Sequence, residues 1–127
     1  MGKRYLIDSN TLIEFVARSL PEHCWFELLS IIDNDFNISF INKIEVLGHR
    51  TANQAWIDFI NQATIIKADD VVINQTIQIR KKHKIKLPDA IVAATAIVND
   101  LIVITRNESD FKDIDGVLVE NPWLWKA

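Results

Sequence analysis

The chain has 127 residues, 49% of them hydrophobic and 24% charged, the content of one ordinary globular domain over residues 1–127, which excludes a disordered chain and a second core. Its 14 basic and 17 acidic residues give a formal net charge of −3, which argues against passive nucleic-acid binding but not against an enzyme whose excess acids surround cations. Cys24 is the single cysteine, so an internal disulfide and a thiolate metal centre are both excluded.

Met1-Gly2-Lys3-Arg4-Tyr5-Leu6-Ile7-Asp8 reaches an acid before any long apolar run, so no signal peptide is expected. The longest apolar stretch, Ala90 to Thr105, is broken by Asn99-Asp100, so no membrane span is expected and the cytoplasm is the expected location. Tyr5-Leu6-Ile7 reads as a short buried strand ending at Asp8, and Thr11 to Val16 has helical spacing. Pro21 suits the first turn of a second helix with Trp25, Phe26, Leu28, Leu29 and Ile32 on its apolar face; Cys24 lies there as a small buried hydrophobe, and Asn34-Asp35 ends the helix. Phe36 to Ile41 alternates and predicts a strand. Ile44, Val46 and Leu47 predict a short helix that carries Glu45 and ends at Gly48.

Ala52 to Asn61 predicts a helix with Ala55, Trp56, Phe59 and Ile60 buried, and Ala63 to Ala68 a strand. Asp69 or Asp70 caps a longer helix that reaches Lys82, and Leu87-Pro88-Asp89 opens the next, with Pro88 near its first position. Leu101 to Thr105 and Val117-Leu118-Val119 are the last strands. Strands separated by helices, with no two-residue hairpin signal, predict crossover connections and a central, mostly parallel sheet between helices. Polar groups that carry chemistry then gather at the carboxyl ends of the strands.

Four acids bear on that crevice. Asp8 directly follows the first strand, Asp110 lies shortly after the Leu101–Thr105 strand, Asp89 starts a helix, and Glu45 sits in a largely apolar turn. Each has a structural reading: Asp8 and Asp110 as caps, Asp89 as a complement to a helix N-terminus, Glu45 on a solvated face. Taken together they admit another, because converging carboxylates repel unless a cation joins them, and oxygen-rich clusters suit Mg²⁺ or Mn²⁺.

The same residues fall in four ordered motifs. Leu6-Ile7-Asp8-Ser9-Asn10-Thr11-Leu12-Ile13 resembles the opening motif of PIN-domain ribonucleases, with Ser9 where a threonine is common. Ile38-Ser39-Phe40-Ile41-Asn42-Lys43-Ile44-Glu45-Val46-Leu47-Gly48 resembles their second motif, and Leu87-Pro88-Asp89-Ala90-Ile91-Val92-Ala93-Ala94-Thr95-Ala96 is the most specific of the set. Val103-Ile104-Thr105-Arg106-Asn107-Glu108-Ser109-Asp110-Phe111 closes it, and Glu120-Asn121-Pro122-Trp123 resembles the tail of the VapC-type toxins of toxin–antitoxin systems. The resemblance implies a three-layer α/β/α PIN-like fold and a metal-dependent endoribonuclease using Mg²⁺ or Mn²⁺. It implies Asp8 and Asp89 as principal metal ligands and catalytic residues, with Glu45 and Asp110 completing an acidic quartet. Asn10, Thr105 and Asn107 would support the loop or metal-bound water. It implies RNA as substrate (tRNA or rRNA), a small cognate antitoxin as partner, and a homodimer.

Arg80-Lys81-Lys82-His83-Lys84-Ile85-Lys86 is the one dense basic run. It reads as a solvated helix end, or as a phosphate grip beside Asp89 formed by Arg80, Lys81, Lys82, Lys84 and Lys86. His23, His49 and His83 are scattered and read as surface or helix-end residues. Trp25 and Trp56 read as core or as the lining of an antitoxin groove; Trp123 and Trp125 read as packed on the last strand or on a dimer partner. The alternatives are an RNA-processing nuclease without an antitoxin, a receiver-like signalling domain and a non-catalytic RNA-binding module. The receiver reading needs an acid pair at the first strand and a lysine after the last, where Asp8 stands alone and Asn121-Pro122 follows.

Overall fold

The computed structural model describes residues 2–127. Five short strands alternate with six α-helices in the order β1 (Tyr5–Ile7), α1 (Ser9–Val16), α2 (Glu22–Asn34), β2 (Asn37–Ser39), α3 (Phe40–Leu47), α4 (Gln54–Ile60), β3 (Thr64–Ile66), α5 (Asp70–Lys82), α6 (Leu87–Asn99), β4 (Ile102–Ile104) and β5 (Val119–Glu120). Single 3₁₀ turns lie at Glu108–Asp110 and Pro122–Leu124. β1 pairs with β4, β4 with β5, and β2 with β3, all parallel. The Asn37 side chain joins the two groups by donating Nδ2–H to the Tyr5 carbonyl at 3.1 Å, which sets the strands in the order β3, β2, β1, β4, β5.

The pleat sorts the core into two layers. Ile7 and Ile104 face a cluster containing Leu12, Phe15, Cys24, Leu28 and Trp56 from α1, α2 and α4. Their neighbours Leu6 and Val103 face Val72, Ile79, Ala93 and Phe111 on the side of α5 and α6. All four strand residues are fully buried, as a parallel sheet covered on both faces requires. Ala90, Ala93, Ala94 and Ala96 put small buried side chains of α6 into the same cluster as Leu6 and Val103. Among the described residues no helix is long and apolar enough to cross a membrane.

Several expected boundaries move. The strand expected over Phe36 to Ile41 stops at Ser39, because Ser39 caps α3: its Oγ accepts from Ile41 N at 3.3 Å, and Asn42 Oδ1 accepts from Ser39 N at 2.8 Å. This reciprocal capping outweighs the alternating pattern. α4 starts at Gln54 rather than Ala52, since Asn53 Oδ1 accepts from Trp56 N at 3.2 Å. Asp69, not Asp70, caps α5. The last strand is Val119–Glu120, where it pairs with β4, rather than Val117 to Val119. Ala55 is exposed rather than buried, and Phe26 is 52% exposed despite its helical spacing with Cys24 and Leu28.

Candidate active site

The carboxyl ends of β1, β2 and β4 come together with the N-termini of α1, α3 and α6. Asp8 continues the β1 ladder, donating its backbone N–H to the Ile104 carbonyl at 2.9 Å, and stands at the first turn of α1. Its carboxylate does not cap that helix. It accepts instead from Thr105 Oγ–H at 2.9 Å and from Asn42 Nδ2–H at 3.2 Å, and the residue is only 7% exposed. Thr105 Oγ1 in turn accepts from Asn10 Nδ2–H at 3.1 Å and from the Asn107 backbone N–H at 3.1 Å, which ties the loop after β4 to α1. Asn42 also donates to Ser9 Oγ at 3.0 Å, and Ser9 donates to Glu45 Oε1 at 2.6 Å.

Asp8, Glu45 and Asp89 line one cleft of about 310 Å³ with Ser9, Asn10 and Asn107, and His49 stands at its edge. Asp110 does not line it. It shares with Asp89 an adjoining pocket of about 440 Å³, so Asp89 is the wall between the two. Burial pushes the Asp8 carboxyl above its usual range, hydrogen bonds from Thr105, the Ser9 backbone N–H and Asn42 pull it back, and the Glu45 charge adds to the rise. Asp89 is pushed up to about 6, first by burial and then by the charges of Asp110, Asp8 and Glu45, against a downward pull from Lys86. Asp89, between the two hollows, therefore feels the charge of the other three acids.

Among the described residues no group of three or more His, Cys, Asp or Glu is arranged to hold a metal ion. The donor set nevertheless fits a hard divalent cation in kind: carboxylate oxygens whose mutual repulsion a cation would relieve, with no thiolate or imidazole required. The basic run divides. Lys84 and Lys86 line the pocket beside Asp89, Lys82 turns to a smaller hollow next to it, and Arg80 and Lys81 line neither. Those two lie, with Lys82, in the last turn of α5, where cations complement the helix dipole.

Nothing in the sequence alone marks Asn42 or His49 as a site residue; His49 reads there as a surface or helix-end residue, and it is exposed just past the end of α3. Asn42 carries a signal in retrospect, being three residues after a serine at a helix start. His49 carries none, since its place at the cleft depends on how α3 ends. The tryptophans pack on this chain. Trp25 stacks on Phe15 at 4.8 Å with its indole N–H on the Phe15 carbonyl, and Trp56 is buried. Trp123 donates to Glu14 under the Arg106 guanidinium, and Trp125 donates to Glu120 of β5.

Comparison by sequence with curated proteins finds no match. Comparison of folds finds a toxin–antitoxin complex from Klebsiella pneumoniae, 30% identical over 93% of this chain and 97% of that one, with a TM-score of 0.75. FitAcB from Neisseria gonorrhoeae is 28% identical over 95% of this chain and 99% of that one, at 0.76. DNA-bound VapBC from Salmonella typhimurium, at 24% identity, 95% and 99% coverage and 0.78, shows the fold alone. The family model for the PIN domain matches residues 5–117, which sets aside the receiver-like reading. With the motifs, the three-layer parallel fold and the acids at the strand ends all in place, the chain belongs to the PIN domain family.

Proposed function

We propose that this chain is a metal-dependent endoribonuclease that serves as the toxin of a VapBC-type toxin–antitoxin pair. The observation that carries the nuclease reading is Asp8. It is a nearly buried carboxylate that makes no N-cap hydrogen bond to α1, held by Thr105 and Asn42 and facing a cleft it shares with Glu45 and Asp89. A bound Mg²⁺ or Mn²⁺ would lower the pKa of a coordinated water and polarise the scissile phosphate. Asp8 and Asp89 would hold such an ion directly, with Glu45 and Asp110 completing the donor set. Thr105 fixes the Asp8 carboxylate, Asn10 and the Asn107 backbone fix Thr105, and Ser9 fixes Glu45, so the acids that flank the phosphate are oriented before substrate arrives.

The toxin role rests on the likeness to the Klebsiella pneumoniae complex. The partner is then a small antitoxin, the substrate tRNA or rRNA, and the location the cytoplasm. A homodimer would have an apolar surface to use where Ile73 and Ile77 of α5 and Leu87 of α6 are each about half exposed. The test is cleavage of total tRNA and rRNA by the antitoxin-free protein with Mn²⁺ or Mg²⁺. We expect cleavage that EDTA stops and that Asp8→Asn and Asp89→Asn both lose. Cutting that survives EDTA or either substitution overturns the acidic centre.

A further inference from the structure

The pocket of about 440 Å³ beside the acidic cleft lies between the loop of residues 83–86, which joins α5 to α6, and the turn that follows β4. Its polar lining differs from that of the cleft. At the cleft Ser9 and Asn10, with the buried Asn42 and Thr105 behind them, form a bonded network that holds Asp8 and Glu45. In the pocket His83, Lys84, Lys86, Ser109 and Asp113 make no side-chain hydrogen bond and no ion pair among the described residues, whose three ion pairs lie elsewhere. Opposite charges thus line one concavity without pairing. They are left for a ligand that carries both an anion and hydrogen-bond donors.

We infer that this pocket is a subsite for one unpaired nucleotide of the RNA strand, adjacent to the phosphodiester held in the acidic cleft. The inference rests on the nuclease reading above and names what that site recognises. Continuity is supplied by Asp89, which lines both hollows, so a strand lying across the cleft on this side must pass its next residue into the pocket. The Lys84 and Lys86 ammonium groups take the phosphate. The His83 ring, half-buried, offers a face for the base to stack on. Asp113 is acceptor-only as a carboxylate, so it favours a base edge with an exocyclic amino group. Cytosine, adenine and guanine have one; uracil offers only its N3–H, flanked by two carbonyl oxygens that repel the carboxylate.

The experiment uses a pool of random-sequence single-stranded RNA oligonucleotides cut in Mn²⁺, with every cut position mapped. The wild type is expected to deplete uridine at one fixed position next to the cut, by roughly fivefold or more. Asp113→Ala is expected to return uridine to parity at that position only, and His83→Ala to raise KM more than it lowers kcat. A wild-type profile without that bias, or one that Asp113→Ala leaves unchanged, overturns the subsite. If the wild type cuts nothing, the nuclease reading fails, and the subsite is judged by NMR titration with the four ribonucleoside 5′-monophosphates. Shifts confined to amides of residues 83–86 and 109–113, weakest with uridine monophosphate and lost in a Lys84→Ala/Lys86→Ala variant, support it. No shift there with any of the four overturns it.

Discussion

Asn42 has no exposed surface, and each of its polar groups is engaged. Its carbonyl oxygen holds the Ser39 N–H, and its amide holds Asp8 and Ser9. One side chain therefore closes the start of α3 and sets the spacing between Asp8 and, through Ser9, Glu45. Asn42→Ala leaves a buried N–H and a carboxylate oxygen short of a partner. The expected cost is about 1–3 kcal/mol in a urea titration. RNA cleavage by the same variant is expected to fall in kcat with KM little changed, because the substrate's phosphates still meet the same cations while the acids lose their alignment. Much of the acidic site is legible in the sequence: Asp8 follows a buried strand, and Asp89 opens a proline-started helix. Asn42 is not legible, because the alternation of Phe36 to Ile41 reads as a strand and hides the helix start at Phe40 that gives the side chain its role. Asp110 has the right charge and place in the chain, yet only the path of the turn after β4 decides that it opens on the neighbouring pocket.

At the scale of elements, helices with strong punctuation read correctly and short ones drift. α5 and α6 are fixed by the Asp69 cap and by Pro88, while the strands are only two or three residues long, so one residue of misplacement is a large share of each. Gly48 does end α3, but not through the left-handed turn for which glycine is the usual choice. Its φ is −82°, and the constraint is space: a Cβ there would stand 2.7 Å from the Ile44 carbonyl oxygen. Two effects compete in Gly48→Ala. The lost freedom of the unfolded chain favours alanine by about 0.4–1 kcal/mol. The contact forces the backbone at the end of α3 to shift, at about 1–3 kcal/mol. Strain is the larger, so Gly48→Ala is expected to lower the urea midpoint. A raised midpoint would mean that the helix end yields without cost. The same shift would move Glu45, one turn earlier, away from Ser9.

For the whole molecule, the repulsion among the acids couples folding to pH and to cations. Asp89 titrates at about 6 in the folded chain against 3.8 as a free group, so between those values the folded state keeps a proton that the unfolded state has lost. Stability from this group is therefore present at low pH and falls as pH rises through 6. Asp89 is partly open to solvent, which tempers the effect without changing its sign. In EDTA, Asp89→Asn is expected to melt a few degrees above the wild type at pH 7.5, with the gap roughly halved at pH 5 and closed only below the free-group value of 3.8. In the proposed metal-dependent enzyme a divalent cation would take the place of that proton. Binding the folded state alone, it would stabilise by about 2.7 kcal/mol at a hundred times its dissociation constant. Mn²⁺ is thus expected to raise the wild-type melting temperature more at pH 7.5 than at pH 5, where the Asp89 proton competes, and to leave Asp89→Asn nearly unmoved. The two readings of the acids part here. If they are only caps and surface charges, Mn²⁺ shifts wild type and variant alike at both pH values, and the cation has no place in the cleft.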